Sequence, residues 1–283
     1  MRIDFEREKA WWDAKAPAEE EDRFDEAINR ALRWREIERN LSGIETILDI
    51  GGATGAFSIP LARRGFRVTH IDHAPSAITI ARQKAKGVDN ISFVEANAAE
   101  LAMFADRSFD LVLNMDGAIS FSGSRAQDVI LESCRLAARK LIVTVSHRAR
   151  LVPIWLESSV EELGNIAPAV YDMLTEGFWH QDRHSENAIL TQGLTLDYLG
   201  TIQAFLPDEL RSILRAAGMN VSRCGGLGTL ASMCSEKALQ RILRDEAMTN
   251  EFLDVCERYD RDLAPNGPGT RERAGLIAVA EQP

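Results

Sequence analysis

Residues 46–55 read Thr-Ile-Leu-Asp-Ile-Gly-Gly-Ala-Thr-Gly and give the strongest structural signal in the chain. Its apolar run predicts a buried strand, and the glycines predict a tight turn directly after that strand. A helical pattern of apolar residues follows from Ala56 to Ala62 and stops at Gly65. A strand, a glycine turn and a helix in this order allow the backbone to approach a nucleotide-like ligand closely.

Two carboxylates accompany this turn. Asp49 lies two residues before Gly51, and Asp72 follows a second predicted strand, 66–71. An acid about twenty residues beyond such glycines commonly holds ribose hydroxyls. The spacing G-G-x-x-G that ends at Gly55 does not fit the dinucleotide fingerprint G-x-G-x-x-G, and Asp49 would repel a pyrophosphate. Asp49 instead suits a ligand that carries a cationic amino group.

This pattern resembles the first motif of the class I S-adenosylmethionine-dependent methyltransferases, [DE]-x-G-x-G-x-G. Asp49, Gly51 and Gly55 match that motif, and Ala53 replaces its middle glycine. Further motif-like segments follow in order over roughly residues 44–147 and, more loosely, over 205–283. The resemblance implies an α/β fold: a Rossmann-like, doubly wound, mostly parallel seven-stranded sheet, with an N-terminal helical segment and a lid insertion after the fifth strand.

The resemblance also implies that S-adenosylmethionine is the cofactor. Asp49 would face its methionine amine, and Asp72 would hold its ribose. Asn97 stands where the family usually has an aspartate at the adenine edge, and its amide oxygen can still accept from the adenine N–H. The candidate cofactor-binding residues are Trp12, Asp49, Gly51, Gly52, Gly55, Asp72, His73, Asn97, Ala98, Asn114 and Gly117.

Trp12 belongs to the segment Trp11-Trp12-Asp13, and family members often begin with a similar segment that folds over the cofactor. An indole face attracts a sulfonium cation by about 0.5–2 kcal/mol. We expect only one of the two tryptophans to face the ligand, and we assign that role to Trp12. A helix that two aromatic side chains merely anchor is the alternative interpretation.

The chain divides into four parts. We expect an N-terminal helical cover (1–43), a cofactor-binding core (44–148), a lid and substrate insertion (149–204) and a C-terminal completion of the core (205–283). The insertion breaks the strand–helix alternation and concentrates aromatic and histidine side chains, so we expect it to cover the sulfonium and exclude water. Ordinary packing of these aromatic side chains is the alternative.

Three residues are candidates for contact with the reacting group. His147 ends the predicted fifth strand and, as a neutral imidazole, could take a proton from the acceptor. Tyr171 and Tyr198 lie in the insertion. His180 and His184 stand four residues apart, which suits metal binding on one helical face, but no carboxylate completes a set convincingly. We therefore expect no metal.

Composition narrows the classes of partner. The net charge of −10 argues against a nucleic-acid partner, because phosphate binding requires a basic face. The four cysteines form no C-x-x-C pair and indicate a reducing compartment. The charged N-terminus shows no signal peptide, and no apolar run is long enough to span a bilayer. We expect a cytoplasmic protein with a small-molecule substrate and no membrane partner. Whether it forms a homo-oligomer stays open.

The sequence favours a methyltransferase that acts on a small metabolite by in-line methyl transfer. The activated methyl group needs alignment and desolvation more than a strong acid or base, so the lack of a catalytic triad is expected. Two alternatives remain open. One is a lyase that cyclises the cofactor to azetidine-2-carboxylate and releases methylthioadenosine. The other is a non-catalytic module that binds the same cofactor.

Overall fold

The computed structural model describes residues 5–17, 24–115, 117–184, 200–270 and 275–283. Strands and helices alternate along most of this length, as the sequence predicts. In chain order the strands are β1 (Thr46–Ile50), β2 (Arg67–Asp72), β3 (Ile91–Glu95), β4 (Phe109–Asn114), β5 (Ala137–Val145), β6 (Phe178–His180), β7 (Thr201–Gln203), β8 (Asn220–Gly226) and β9 (Leu276–Glu281).

Seven of these strands form one sheet in the order β3-β2-β1-β4-β5-β9-β8. The pairs among β1 to β5 are parallel, whereas β9 runs antiparallel to both of its neighbours. Chain order reverses between β1 and β4, so the sheet has a switch point at their carboxyl ends. The predicted Rossmann-like, mostly parallel seven-stranded sheet is confirmed.

Helices cover both faces of the sheet. They are α1 (Phe5–Lys15), α2 (Phe24–Arg39), α3 (Ser58–Arg63), α4 (Pro75–Lys84), α5 (Ala126–Leu136), α6 (Arg148–Leu163), α7 (Pro168–Glu176), α8 (Gln181–His184), α9 (Pro207–Ala216), α10 (Thr229–Met233), α11 (Glu236–Leu243) and α12 (Glu246–Arg258). A 3₁₀ helix, Ser120–Arg125, lies between β4 and α5.

Two apolar cores hold these layers together. One core packs Leu48 of β1 against α5 and α9, and the other packs Ile47 of β1 against α2, α3, α11 and α12. Side chains that alternate along one strand thus enter opposite cores, which explains why β1 is apolar on both faces. Because α2 packs in the second core, α1 is the helix of the described N-terminal region that remains outside that core.

The insertion after β5 builds a small layer of its own. Helices α6 and α7 pack with the antiparallel pair β6–β7 around Trp155, Met173 and Trp179. The rings of Trp155 and Trp179 stack with centroids 4.2 Å apart. Within the described ranges, no helix combines the length and apolar character needed to cross a bilayer.

Candidate functional site

A cavity of about 470 Å³ opens at the carboxyl ends of β1 to β4. Its floor comes from the turn after β1, residues 71–74 at the end of β2, residues 95–98 after β3, and the segment that follows β4. Open parallel sheets bind their ligands at this edge, beside the switch point of the strand order. The architecture therefore places the predicted cofactor motifs around one space.

The glycine turn after β1 leaves no room for side chains. A Cβ atom on Gly51 would lie 2.5 Å from the Cβ of Ala118, and its φ of +70° also disfavours any other residue. A Cβ atom on Gly52 would lie 2.5 Å from the ring of His70 and 2.9 Å from Oδ2 of Asp49. The turn thus brings bare backbone and the buried carboxylate of Asp49 to the cavity wall.

Asp72 is fixed in place by two backbone donors. Its Oδ2 accepts from the backbone N of Ala53 at 2.9 Å, and its Oδ1 accepts from the backbone N of Ala74 at 2.8 Å. A carboxylate has about four acceptor sites, so acceptor capacity remains for a ligand in the cavity that Asp72 lines. Ala53 has a φ of +45°, where a non-glycine residue costs on the order of 1–2 kcal/mol.

His70 lies beneath the glycine turn and is completely buried. Its Nδ1 is 2.8 Å from Oγ of Ser58, the first residue of α3. Burial lowers the pKa of His70 to about 4, while the Asp72 carboxylate opposes that shift. The ring is therefore neutral at pH 7, and it supports the turn from below. A histidine inside a strand suggests a structural role from the sequence, but the sequence does not show that the role is support of this turn.

Asn97 and Ala98 line the cavity after β3. The side-chain oxygen of Asn97 accepts from the backbone N of Ala99 at 3.0 Å, and the backbone N of Glu100 donates to the carbonyl of Asn97 at 2.9 Å. The amide oxygen thus already holds its own turn. One further acceptor site on that oxygen, and the amide NH₂ group, remain for a ligand edge.

Helix α1 covers the cavity and is tied to the core at two points. The backbone N of Ser76 donates to Oδ1 of Asp13 at 2.6 Å, and Nζ of Lys9 donates to Oε1 of Glu95 at 2.6 Å. Trp12 lines the cavity, whereas Trp11 is 2% exposed and packs edge to face against it. The structure therefore brings Trp12, not Trp11, to the site.

Gly117 shapes the opposite wall. It has a φ of +119°, and a Cβ atom there would lie 2.7 Å from the ring of Phe121. The backbone N of Phe121 donates to the carbonyl of Gly117 at 2.8 Å. This close approach holds the Phe121 ring on the cavity, where it meets Trp12. His73 also lines the cavity, and burial lowers the pKa of its ring.

Glu8 is a lining residue that sequence analysis missed. Its side chain belongs to α1 and is 5% exposed, and desolvation raises the pKa of its carboxyl to about 8. In the charged sequence of α1 a glutamate looks like an ordinary solvated residue. The signal available was its spacing from Trp11 and Trp12, three and four positions later, which places all three on one side of the helix.

Two predicted cofactor contacts are not at the cavity. Gly55 is absent from its described lining, and a Cβ atom there would lie 2.5 Å from Cδ1 of Ile59, so this glycine serves close packing of the turn on α3. Asn114 is buried, and its Nδ2 donates to Oγ of Ser133 in α5 at 3.1 Å. Its side chain points from β4 towards that helix, away from the cavity.

The catalytic candidates also need correction. His147 is 2% exposed, and its Nδ1 accepts from the backbone N of Ala149 at 3.2 Å, so the ring caps α6. Burial lowers its pKa, and it does not line the described cavity. Tyr171 is 56% exposed on the outer face of α7, because Val170 and Met173 occupy the inner face. Tyr198 lies outside the described residues.

The predicted lid, 149–204, stays a prediction, because its residues 185–199 lie outside the described residues. Of the residues that the structure describes, none between 149 and 204 lines the cavity, because these residues pack into their own layer. His184 contacts the Trp155 and Trp179 rings, and its Nε2 lies 3.3 Å from Oγ of Ser158. Among the described residues, helix α1 supplies the cover.

Sequence comparison supports the interpretation of the core. Residues 47–140 match a family model described as a methyltransferase domain. A demethylmenaquinone methyltransferase of Tropheryma whipplei (strain Twist) is 29% identical over 163 residues, 52% of this chain and 66% of that protein. A ubiquinone biosynthesis O-methyltransferase of Methylobacterium sp. (strain 4-46) is 36% identical over 121 residues, 40% of this chain and 49% of that protein. The chain thus spans less than two thirds of the length of these relatives.

Comparison of structures supports the fold. A putative S-adenosylmethionine-dependent methyltransferase from Listeria monocytogenes superposes with a TM-score of 0.57 at 16% identity, covering 91% of this chain and all of that chain. An S-adenosylmethionine-dependent methyltransferase from Methanosarcina mazei superposes with a TM-score of 0.55 at 17% identity. The superposition covers 87% of this chain and 96% of that chain. Residues 47–140, which supply most of the cavity floor, thus match a methyltransferase domain, and the fold of the chain is similar to that of S-adenosylmethionine-dependent methyltransferases.

Proposed function

We propose that this protein is a methyltransferase that transfers the methyl group of S-adenosylmethionine to a small metabolite. The observation that carries the proposal is the convergence of the glycine turn, Asp72, Asn97 and Trp12 on one cavity. Its volume of about 470 Å³ falls within the range of ordinary small-ligand sites, roughly 300–1,000 Å³.

The adenosine part fits residues at the ends of β2 and β3. Asp72 is held by two backbone donors and can accept from the ribose hydroxyls with its remaining lone pairs. Asn97 and Ala98 stand at the adenine edge. Since the oxygen of Asn97 already accepts from Ala99, its NH₂ group can also serve that edge as a donor. Ala74 and Ala77, packed with Trp12, provide an apolar side for the base.

The methionine part fits the turn after β1. Gly51 and Gly52 let the turn pack closely on Ala118 and His70, since Cβ atoms would collide with these residues, and this packing holds the backbone of the turn at the cavity. Asp49 lines the same space and offers its negative charge to the amino group of the ligand. The face of Trp12 is the group that would attract the sulfonium.

Bound in this way, the cofactor supplies a methyl group that its sulfonium has already activated. The residues of the chain then have to align the acceptor and exclude water. Helix α1 performs the exclusion, because its Lys9 and Asp13 contacts hold it against the strand ends. We propose that residues 44–148 carry most cofactor contacts and that α1 completes the acceptor side.

The cavity favours a compact acceptor. It is covered by α1 and lined by Trp12, Phe57, Met115 and Phe121 among its apolar residues, which suits a partly apolar ring system. The net charge of −10 disfavours a nucleic-acid substrate. The names of the two relatives place quinone-related aromatic compounds first among the acceptors to be tried.

A product screen tests the proposal. The protein is incubated with S-adenosylmethionine and pools of aromatic and other small metabolites, and mass spectrometry looks for S-adenosylhomocysteine together with a product one methyl group heavier. Formation of both supports the proposal. Methylthioadenosine from cofactor alone would assign the cyclising lyase instead. A calorimetric titration with S-adenosylhomocysteine that shows no binding would contradict both activities.

A further inference from the structure

Glu8 is the buried carboxyl of the cavity that cofactor binding does not explain. It lies on α1, the cover, and not on the strand ends that form the floor. Its Oε1 is buried and accepts no hydrogen bond from the residues that the structure describes. Leaving a buried carboxyl without partners is unfavourable, so such a group commonly belongs to a functional site.

The Glu8 side chain points away from the part of the cavity that we propose for adenosine, at the ends of β2 and β3. Lys9, the next residue, reaches Glu95 at the end of β3 across 2.6 Å. Glu8 instead packs beside Gly200, where a Cβ atom would lie 3.3 Å from its Oε1. Gly200 directly precedes β7, which packs against the 3₁₀ helix that carries Phe121. Glu8 therefore faces the side of the cavity beyond β4, away from Asp72 and Asn97.

We propose that Glu8 is a catalytic residue that contacts the acceptor and takes the proton that its hydroxyl or amine loses during methylation. This inference rests on the proposed function. It names the substrate class: a small, partly apolar compound whose attacking oxygen or nitrogen bears a hydrogen. It also gives Glu8 the proton-accepting role that the sequence suggested for His147. The His147 ring caps α6, away from the cavity.

The step balances. A lone pair on the acceptor oxygen or nitrogen forms the new bond to the methyl carbon, and the carbon–sulfur bond breaks, leaving its electron pair on a neutral thioether. The O–H or N–H bond breaks, and its proton moves to the carboxylate of Glu8, which becomes a neutral carboxylic acid. No oxidant, reductant or metal is needed. A base of this kind contributes typically 10²–10⁴-fold to a rate.

Binding of two defined ligands tests the placement without an acceptor. Sinefungin carries an amine-bearing carbon in place of the methyl-bearing sulfur, whereas S-adenosylhomocysteine has neither the methyl group nor the charge. If Glu8 faces the transferred group, then at about pH 8.5, where the Glu8 carboxyl is largely ionised, Glu8→Gln weakens sinefungin binding by about tenfold or more and leaves S-adenosylhomocysteine binding within about twofold. The amide is isosteric with the protonated acid, so the variant should fold.

Each outcome of that titration is decisive. An unchanged ratio of the two affinities in Glu8→Gln would overturn the inference alone. Failure of the wild-type protein to bind S-adenosylhomocysteine would overturn the proposed function and the inference with it. Glu157→Gln is the matched control, because Glu157 is an exposed acid on a helix, α6, and does not line the cavity. It should leave both affinities within about twofold, since an exposed charge interacts weakly through solvent.

The acceptor found in the product screen allows a kinetic test. A base must be ionised, so kcat/KM of the wild-type protein should rise with pH, with a midpoint near the value of about 8 given for Glu8. The other charged or titratable groups that line the cavity are Glu6, Lys9, Arg30, Asp49, Asp72, His73, Glu95 and Glu100. The pKa of His73 lies below its ordinary value of 6.5 and that of Lys9 above 10.5, so neither produces a rise near 8.

Glu8→Gln should lose this rise and lower kcat by about 100-fold, with KM for S-adenosylmethionine almost unchanged. Glu8→Asp should restore part of the rate. A fall in kcat of less than about threefold, with the pH profile intact, would overturn the inference, because a merely structural glutamate does not set that profile.

Discussion

The rings of Trp12 and Phe121 meet edge to face on the cavity, with centroids 4.7 Å apart and an interplanar angle of 70°. Trp12 comes from the cover, α1, and Phe121 comes from the 3₁₀ helix after β4. The contact therefore joins the N-terminal cover to the wall of the site. Such aromatic pairs contribute about 0.5–1.5 kcal/mol beyond the area that they bury.

Replacing Trp12 by alanine should weaken S-adenosylmethionine binding more than S-adenosylhomocysteine binding. The difference should be about 0.5–2 kcal/mol, because only the first ligand carries the sulfonium that the indole face attracts. Calorimetric titration with both ligands measures it. Equal losses for the two ligands would show that Trp12 acts only as a packing residue, and Trp12→Phe should retain part of the preference.

Replacing Gly51 by alanine should impair cofactor binding, whereas the same change at Gly65 should not. Both glycines have positive φ values, +70° and +98°, so both variants bear a backbone strain of about 1 kcal/mol or more. Only at Gly51 does the new Cβ collide with Ala118 on the cavity wall; at Gly65 nothing lies within 4 Å. Matching losses of S-adenosylhomocysteine affinity in the two variants would contradict the role of this turn.

Asp72→Asn should lower the affinity for S-adenosylhomocysteine by about tenfold or more, because a hydrogen bond to a charged group contributes roughly 1.5–3 kcal/mol. Asp110→Asn is the control. Asp110 also accepts backbone N–H bonds, from Glu45 and Thr46, but it does not line the cavity. It should lower the free energy of unfolding and leave the affinity unchanged. An affinity change below about twofold for Asp72→Asn would assign this acid a structural role only.

His70 should make the stability of the protein depend on pH. Its folded-state pKa, about 4, lies below the ordinary 6.5, so the unfolded chain binds more protons between these values. The contribution of His70 is fully present above pH 6.5 and is lost as the pH falls towards 4, by about 3 kcal/mol in all. Urea unfolding across this range measures it. His70→Asn should flatten the slope; an identical slope would place the effect on other groups.

The sequence predicted the floor of the site well and its cover poorly. The apolar run of β1, the turn at Gly51 and the acid Asp72 follow from local backbone chemistry, and the structure places them as expected. Adjacent residues on a helix point about 100° apart, so only one of Trp11 and Trp12 was expected to face the ligand, and Trp12 lines the cavity. These features depend on neighbours in the chain, which a sequence displays directly.

Other features depend on residues distant in sequence. Asn114 looked like a cofactor contact because it ends β4, but the alternation along that strand turns its side chain towards Ser133. Tyr171 looked like a lid residue, yet helical periodicity places its side chain on the exposed face of α7. Glu8 gained its importance only when α1 packed over the cavity. Burial of this kind is a tertiary property, and the spacing of Glu8 from Trp11 and Trp12 was its local sign in the sequence.

Hydrogen–deuterium exchange with and without S-adenosylhomocysteine tests the central claim most directly: the ligand binds between the strand ends and α1. We expect slower exchange in residues 49–55, 72–77 and 95–100, and in α1. At a ligand concentration about 100 times Kd, the slowing of segments that must open to release the ligand should approach about 100-fold. Protection of these segments would confirm the site and its cover. Binding without protection there, or protection confined to residues 149–184, would contradict the account.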